Sequence, residues 1–193
     1  MKIVCIGDSL TYGYRVRRAA VWTALVPRGL PGTEVVNKGI NGDTTGGMLA
    51  RFGTDVIDLR PDAAFIMGGS NDIFFSGGIS QAKSNLAAMV FRCMHHGITP
   101  VMGVPLPVCE EGIAPEWSPF ACGEVVKKQL SDYSGWIIEF GVSFAVPAVD
   151  FRECVPADSV ERAGFYLDGI HASEEGHRRM AEAVVKTIAK ITK

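Results

Sequence analysis

Five strand-like runs separated by segments of helical period constrain this chain more than any other feature. The runs are Ile3–Ile6, Glu34–Asn37, Ala63–Met67, Ile98–Val104 and Val142–Val146. The first and third are continuous apolar stretches, the signature of strands buried on both faces. Between them, apolar residues recur at helical spacing. One helix carries Trp22, Leu25 and Val26, is disturbed by Pro27 and ends at Pro31-Gly32. A second carries Met48, Leu49, Phe52, Val56 and Leu59 and stops before Pro61. A third is capped by Ser80, buries Leu86, Met89, Val90, Cys93 and Met94, and turns at Gly97. A fourth runs from Val125 to Phe140 with Gly141 to finish it, and Ser173 opens the last, with Met180, Ala181, Val184, Val185, Ile188 and Ile191 inward. Strand and helix in regular alternation predict an α/β domain, a five-stranded parallel sheet covered on both faces. No shift of composition marks a second domain, so residues 1–193 are expected to form one.

Composition removes several classes of function. With 193 residues, 47% of them apolar and 21% charged, the chain resembles an ordinary globular domain. A net charge of −2 gives no electrostatic reason to bind nucleic acid or an anionic membrane. The basic group Arg15, Arg17 and Arg18 reads as a solvated edge. Ile3–Ile6 is far shorter than the apolar core of a secretory leader, and no run reaches membrane-spanning length. Five cysteines, Cys5, Cys93, Cys109, Cys122 and Cys154, show no CxxC spacing, and reduced thiols in a cytoplasmic protein account for them most simply. Cys109 and Cys122 flank one loop, which leaves a disulfide between them open. His95 and His96 lack partners at zinc-ligand spacing, and neither metal nor cofactor is expected.

The polar clusters fall where a parallel sheet would gather them. Gly7-Asp8-Ser9, Asn41-Gly42-Asp43-Thr44 and Gly69-Ser70-Asn71-Asp72 each follow one of the first three strands, so their loops emerge at one edge. Asp168 and His171 follow the fifth strand after a longer excursion that can reach the same edge. Ligands of open α/β sheets bind in that crevice. A serine hydroxyl is a weak nucleophile until a base takes its proton, and an imidazole can accept and return one. A carboxylate three residues away can hold the useful tautomer and stabilise the imidazolium. The amides of Ser9 and Gly42 and the side chain of Asn71 are candidate donors to an oxyanion.

These blocks resemble the SGNH (GDSL) hydrolase family: Gly7-Asp8-Ser9-Leu10, Gly42 in its Gly/Asp/Thr loop, Gly69-Ser70-Asn71-Asp72 and Asp168-Gly169-Ile170-His171 stand in the family's order. The resemblance runs from near the amino terminus to the last helix. It implies a flavodoxin-like three-layer α/β/α sandwich and hydrolysis of small-molecule esters or thioesters without a metal. It also implies Ser9 as nucleophile, Gly42 and Asn71 in the oxyanion hole, and Asp168 and His171 completing a triad. Among hydrolases, a carbohydrate O-acetyl esterase competes with a carboxylester or thioester hydrolase. From a different class, a non-catalytic module could bind phosphate or flavin through Ser9, Thr11 and Thr44, but it gives Asp168 and His171 no task.

Other residues carry plainer readings. Asp8 and Asp72 fix loops through hydrogen bonds, His177 is exposed or packed on the last helix, and Cys5 is structural. Tyr12, Tyr14, Trp117 and Phe120 line a pocket or pack. The stretch 105–119 contains Pro105, Pro107, Pro115 and Pro119 and no periodicity, which favours a binding loop or lid.

Overall fold

The computed structural model describes residues 1–76 and 78–191. In chain order, β1 (Lys2–Gly7) leads into α1 (Ser9–Tyr12) and α2 (Trp22–Gly29). Next come β2 (Glu34–Gly39), α3 (Thr45–Asp55) and β3 (Ala63–Met67), followed by α4 (Ser70–Ser76) and α5 (Ser80–His95). After β4 (Thr99–Val104) come α6 (Ser118–Ala121), α7 (Glu124–Phe144), β5 (Ala148–Asp150), α8 (Ser159–Phe165) and α9 (Glu174–Ile191). Among the described residues the strands form one five-stranded sheet, ordered β2-β1-β3-β4-β5 and parallel throughout.

Side-chain alternation along the strands divides the core in two. Ile3 and Cys5 of β1 and Phe65 and Met67 of β3 face α2 and α9, meeting Trp22, Val26, Met180, Val184 and Ile188. Val4, Ile6, Ala64 and Ile66 face α3, α5 and α7, meeting Met48, Phe52, Leu86, Met89, Tyr133 and Ile137. The helices are therefore on both faces, as the alternation requires. Because α2 and α3 lie on opposite faces, the winding reverses between β1 and β3. That reversal opens a crevice at the carboxyl ends of these two strands.

Local expectations are corrected at several points. The fifth strand is not Val142–Val146: α7 continues through Gly141 to Phe144, ends at Ala145 with φ 54°, and the strand is Ala148–Asp150. Helical packing overrides the strand propensity of Val142 and Phe144, because the Phe140 and Phe144 rings meet at 4.6 Å and Ser143 Oγ donates to Glu139 O. Ser80 is the first helical residue of α5 rather than its side-chain cap. On the approach to Asp168, Asp158 accepts hydrogen bonds from the Val160 and Glu161 amides and caps α8. Elsewhere Pro27 lies inside α2 without breaking it, and Leu59 ends a separate turn of 3-10 helix after α3.

Candidate active site

β1 ends at Gly7, and Asp8 caps α1 by accepting from the Leu10 amide at 2.9 Å. Ser9 is thus the first residue of α1, and its own N–H is among those a helix start leaves without an intrahelical acceptor. On the other side, Tyr166 and Ala172 form an antiparallel bridge, and Leu167 donates to His171 O at 2.8 Å. This closes a tight loop around Asp168. One Asp168 oxygen accepts from the Ile170 and His171 amides at 3.1 and 2.8 Å. The other lies 2.8 Å from His171 Nδ1, and His171 Nε2 lies 2.9 Å from Ser9 Oγ.

The roles in that line follow from chemistry. An ionised carboxylate only accepts, so Nδ1 carries the hydrogen and Nε2 is left as an acceptor for the Ser9 hydroxyl. Burial pushes the Asp168 carboxyl up, but the hydrogen bonds from the His171 ring and the two amides outweigh it and hold the group below its ordinary value. All three side chains are buried. Tyr14 and Trp117 flank the imidazole, with ring centroids at 4.5 and 5.6 Å from it.

The candidate oxyanion donors gather at the same edge. Asn71 stands in the first turn of α4, and its Nδ2 donates to Asp43 O at 2.8 Å, keeping a second hydrogen for a ligand. Gly42 has φ 75°, and nothing lies within 4 Å of where a Cβ would sit, so its face is open. A chain of hydrogen bonds, buried from Asn85 inward, fixes the loop. Gln81 donates to Asn85, Asn85 to Thr45 Oγ1, and Thr45 donates to Asp72 through both its hydroxyl and its amide. Asp8 and Asp72 therefore hold loops, as expected.

Arg51 was not picked out from the sequence. From α3 it donates to Asp43 Oδ2 at 2.9 Å, Asp55 Oδ2 and Lys38 O at 2.8 Å each, and Gly7 O at 3.1 Å. One guanidinium thus ties the ends of β1 and β2 to the loop after β2. The available signal was a cation on α3 spaced four residues from Asp55 and eight from Asp43.

The remaining candidates lie outside this line. His177 is buried, accepts from the Trp22 amide at 3.3 Å, and is pushed down to about 4 by burial and then by the charge of His171. Arg17 pairs with Glu174, and Arg18 stacks over Tyr12. Phe120 meets Phe75 at 5.6 Å. The 105–119 stretch is pinned to the triad segment, since the Cys109 and Ala114 amides donate to Gly169 O and Asp168 O at 2.8 and 3.0 Å. Cys109 and Cys122 are both free thiols. Among the described residues, no three His, Cys, Asp or Glu side chains are grouped to hold a metal ion, and no helix is long and apolar enough to cross a membrane.

A doubly wound sheet with serine, imidazole and carboxylate in hydrogen-bonded line at its reversal point defines an α/β protein whose site has the geometry of a nucleophilic triad. The chain belongs to the GDSL-like lipase/acylhydrolase family, whose model matches residues 5–179. It is similar to the uncharacterized lipoprotein YqeF of Bacillus subtilis, 34% identical over 120 residues that cover 56% of this chain and 49% of that protein. It is also similar to the arylesterase of Vibrio mimicus, 33% identical over 105 residues that cover 52% of each. The chain spans about half the length of these curated relatives. The solved structure of a G-D-S-L family protein from Desulfitobacterium hafniense superposes with a TM-score of 0.82 at 25% identity, covering 96% of this chain and 98% of that one.

Proposed function

We propose that this chain hydrolyses carboxylic esters or thioesters through an acyl-enzyme on Ser9. The observation that carries the reading is the unbroken line from Ser9 Oγ to His171 Nε2 and from His171 Nδ1 to Asp168 Oδ2, at 2.9 and 2.8 Å. Ser9 Oγ attacks the carbonyl carbon while its proton passes to His171 Nε2, and Asp168 stabilises the imidazolium. The oxyanion receives hydrogen bonds from the Ser9 and Gly42 amides and from Asn71 Nδ2. Collapse breaks the bond to the leaving alcohol or thiol, which departs with the proton from His171. Water then attacks the acyl carbon, its proton again goes to His171, and the carboxylic acid leaves as Ser9 recovers its hydrogen.

Tyr14 and Trp117 beside the imidazole favour an aryl or short acyl group over a bulky polar one. The machinery lies in a single domain over residues 1–193, and five free thiols support a reducing, cytoplasmic setting. Mass spectrometry after treatment with an organophosphonate tests the reading. An adduct on the Ser9 peptide, with matching loss of p-nitrophenyl acetate turnover, is the expected result; turnover that persists with Ser9 fully modified overturns it.

A further inference from the structure

Behind the 105–121 segment lies a cavity of about 510 Å³ that neither Ser9 nor His171 nor the candidate oxyanion donors line. It opens beyond the carboxyl ends of β4 and β5, between α7 on one side and residues 152–166 on the other. Its size is that of a small-molecule site. Residues 105–111 line it, and the Cys109 amide of that segment donates to Gly169 O of the triad loop.

The lining has two characters. Leu106, Val108 and Leu130 give an apolar wall, whereas Lys127 and Arg162 bring cations to the rim. Another rim cation, Arg152, is occupied by Asp150 through two carboxylate oxygens. The Lys127 ammonium has no hydrogen bond or ion pair among the described residues, whereas Arg162 is held by Pro156 O at 3.2 Å and Ala157 O at 2.5 Å, with Glu111 3.6 Å from its Nη1. Glu110 and Glu111 stand beside them, with Glu110 accepting from the Gly123 amide. A neutral apolar ligand would leave the ammonium unused. An inorganic anion would leave the apolar wall wet, and a dianion would be repelled by the two glutamates. A single negative charge on an apolar body fits both characters of the lining.

We infer that this cavity binds a carboxylate with an unbranched apolar tail, the carboxylate towards Lys127 and the tail against Leu106, Val108 and Leu130. The inference stands apart from the hydrolase reading because binding requires no turnover. The test is calorimetric titration of the intact protein with octanoate, octanol and acetate. Octanoate is expected to bind at one site, with octanol and acetate at least about tenfold weaker. Lys127→Glu, at the exposed rim, should weaken octanoate about tenfold with ester turnover unchanged, and Leu130→Trp should abolish its binding by filling the cavity. Octanol binding as tightly as octanoate overturns the inference, and so does octanoate affinity unaltered by Lys127→Glu. Failure here leaves the Ser9 chemistry standing, and loss of that chemistry leaves this titration readable.

Discussion

His171 Nε2 lies 2.9 Å from Ser9 Oγ across 162 residues of chain. Only the shared direction of the strands brings the two together, since Ser9 follows the first strand and His171 the last. If that contact is the proton path, Ser9→Ala and His171→Ala should each cut kcat by ~10⁴ or more with little change in Tm, and the double variant should lose hardly more than either alone. Steady-state hydrolysis of p-nitrophenyl acetate checks this. Additive losses would mean that the two side chains act in separate steps.

Arg51 is argued to position the oxyanion loop without touching substrate. Its removal would free Asp43, whose carbonyl is the anchor of Asn71, and would loosen the ends of β1 and β2. Displacement of about an ångström at a reacting centre can cost ~10²-fold in rate. Arg51→Met should therefore lower kcat about a hundredfold with KM nearly constant, and Arg51→Lys should recover only part, because an ammonium cannot reproduce the fork. A fall confined to Tm, with kcat of the folded fraction unchanged, would reduce Arg51 to a stabilising ion pair.

The sequence made the site more legible than some of its supports. Ser9, Asn71, Asp168 and His171 lie just after strands or in short polar clusters, and strand direction alone carries them to one edge. The apolar runs Ile3–Ile6 and Ala63–Met67 could be little else than buried strands. Val142 and Phe144 misled because β-branched and aromatic residues also extend a long helix when ring contacts such as Phe140 with Phe144 hold it. Arg51 offered only its spacing from Asp43 and Asp55; its other partners, and those of the pins on the 105–119 stretch, are the distant backbone carbonyls of Gly7, Lys38, Asp168 and Gly169, which no side-chain pattern marks.

Asp8 and His177 should give opposing responses to acid. Burial pushes the Asp8 carboxyl up to about 6, aided by Asp43 and Asp72 and opposed by the Leu10 amide and His171. Between roughly pH 4 and 6 the folded chain holds a proton there that the unfolded chain has released, so this group adds stability as pH falls. His177 is pushed down to about 4, so between roughly pH 4 and 6.5 the unfolded chain binds a proton the folded chain refuses, and stability is lost as pH falls. Each effect is worth about 3 kcal/mol in full, and the two largely offset. Urea unfolding from pH 7 to 4 should show a shallow slope for the wild type, a steep acid loss for Asp8→Asn, and a gain towards acid for His177→Gln. Asp168, held below its ordinary value, contributes stability that disappears only as pH falls further, through its folded value. Parallel profiles for wild type and Asp8→Asn would show that the buried carboxyl does not titrate in this window.

Two glycines with similar backbones should respond differently to a methyl group. Gly42 and Gly169 have φ of 75° and 83°, where an alanine costs about 1 kcal/mol from strain alone. Nothing lies within 4 Å of a Cβ at Gly42, whereas at Gly169 it would meet Cys109 O and Ile113 Cα at 2.7 Å. Those atoms belong to backbone that the Cys109 amide already ties to Gly169 O, so they can yield only by moving the 105–119 stretch off the triad loop. Gly169→Ala should cost a further ~1–3 kcal/mol of overpacking, lower Tm clearly and reduce kcat through displaced Asp168 and His171. Gly42→Ala should lower Tm only by the roughly 2–4 °C that the backbone strain costs, yet reduce kcat/KM, because the methyl group stands where substrate must approach the amide. Thermal melts beside steady-state kinetics on both variants separate the two cases. Equal Tm losses would mean that the crowding at Gly169 relaxes at no cost, and full activity in Gly42→Ala would remove that amide from the oxyanion hole.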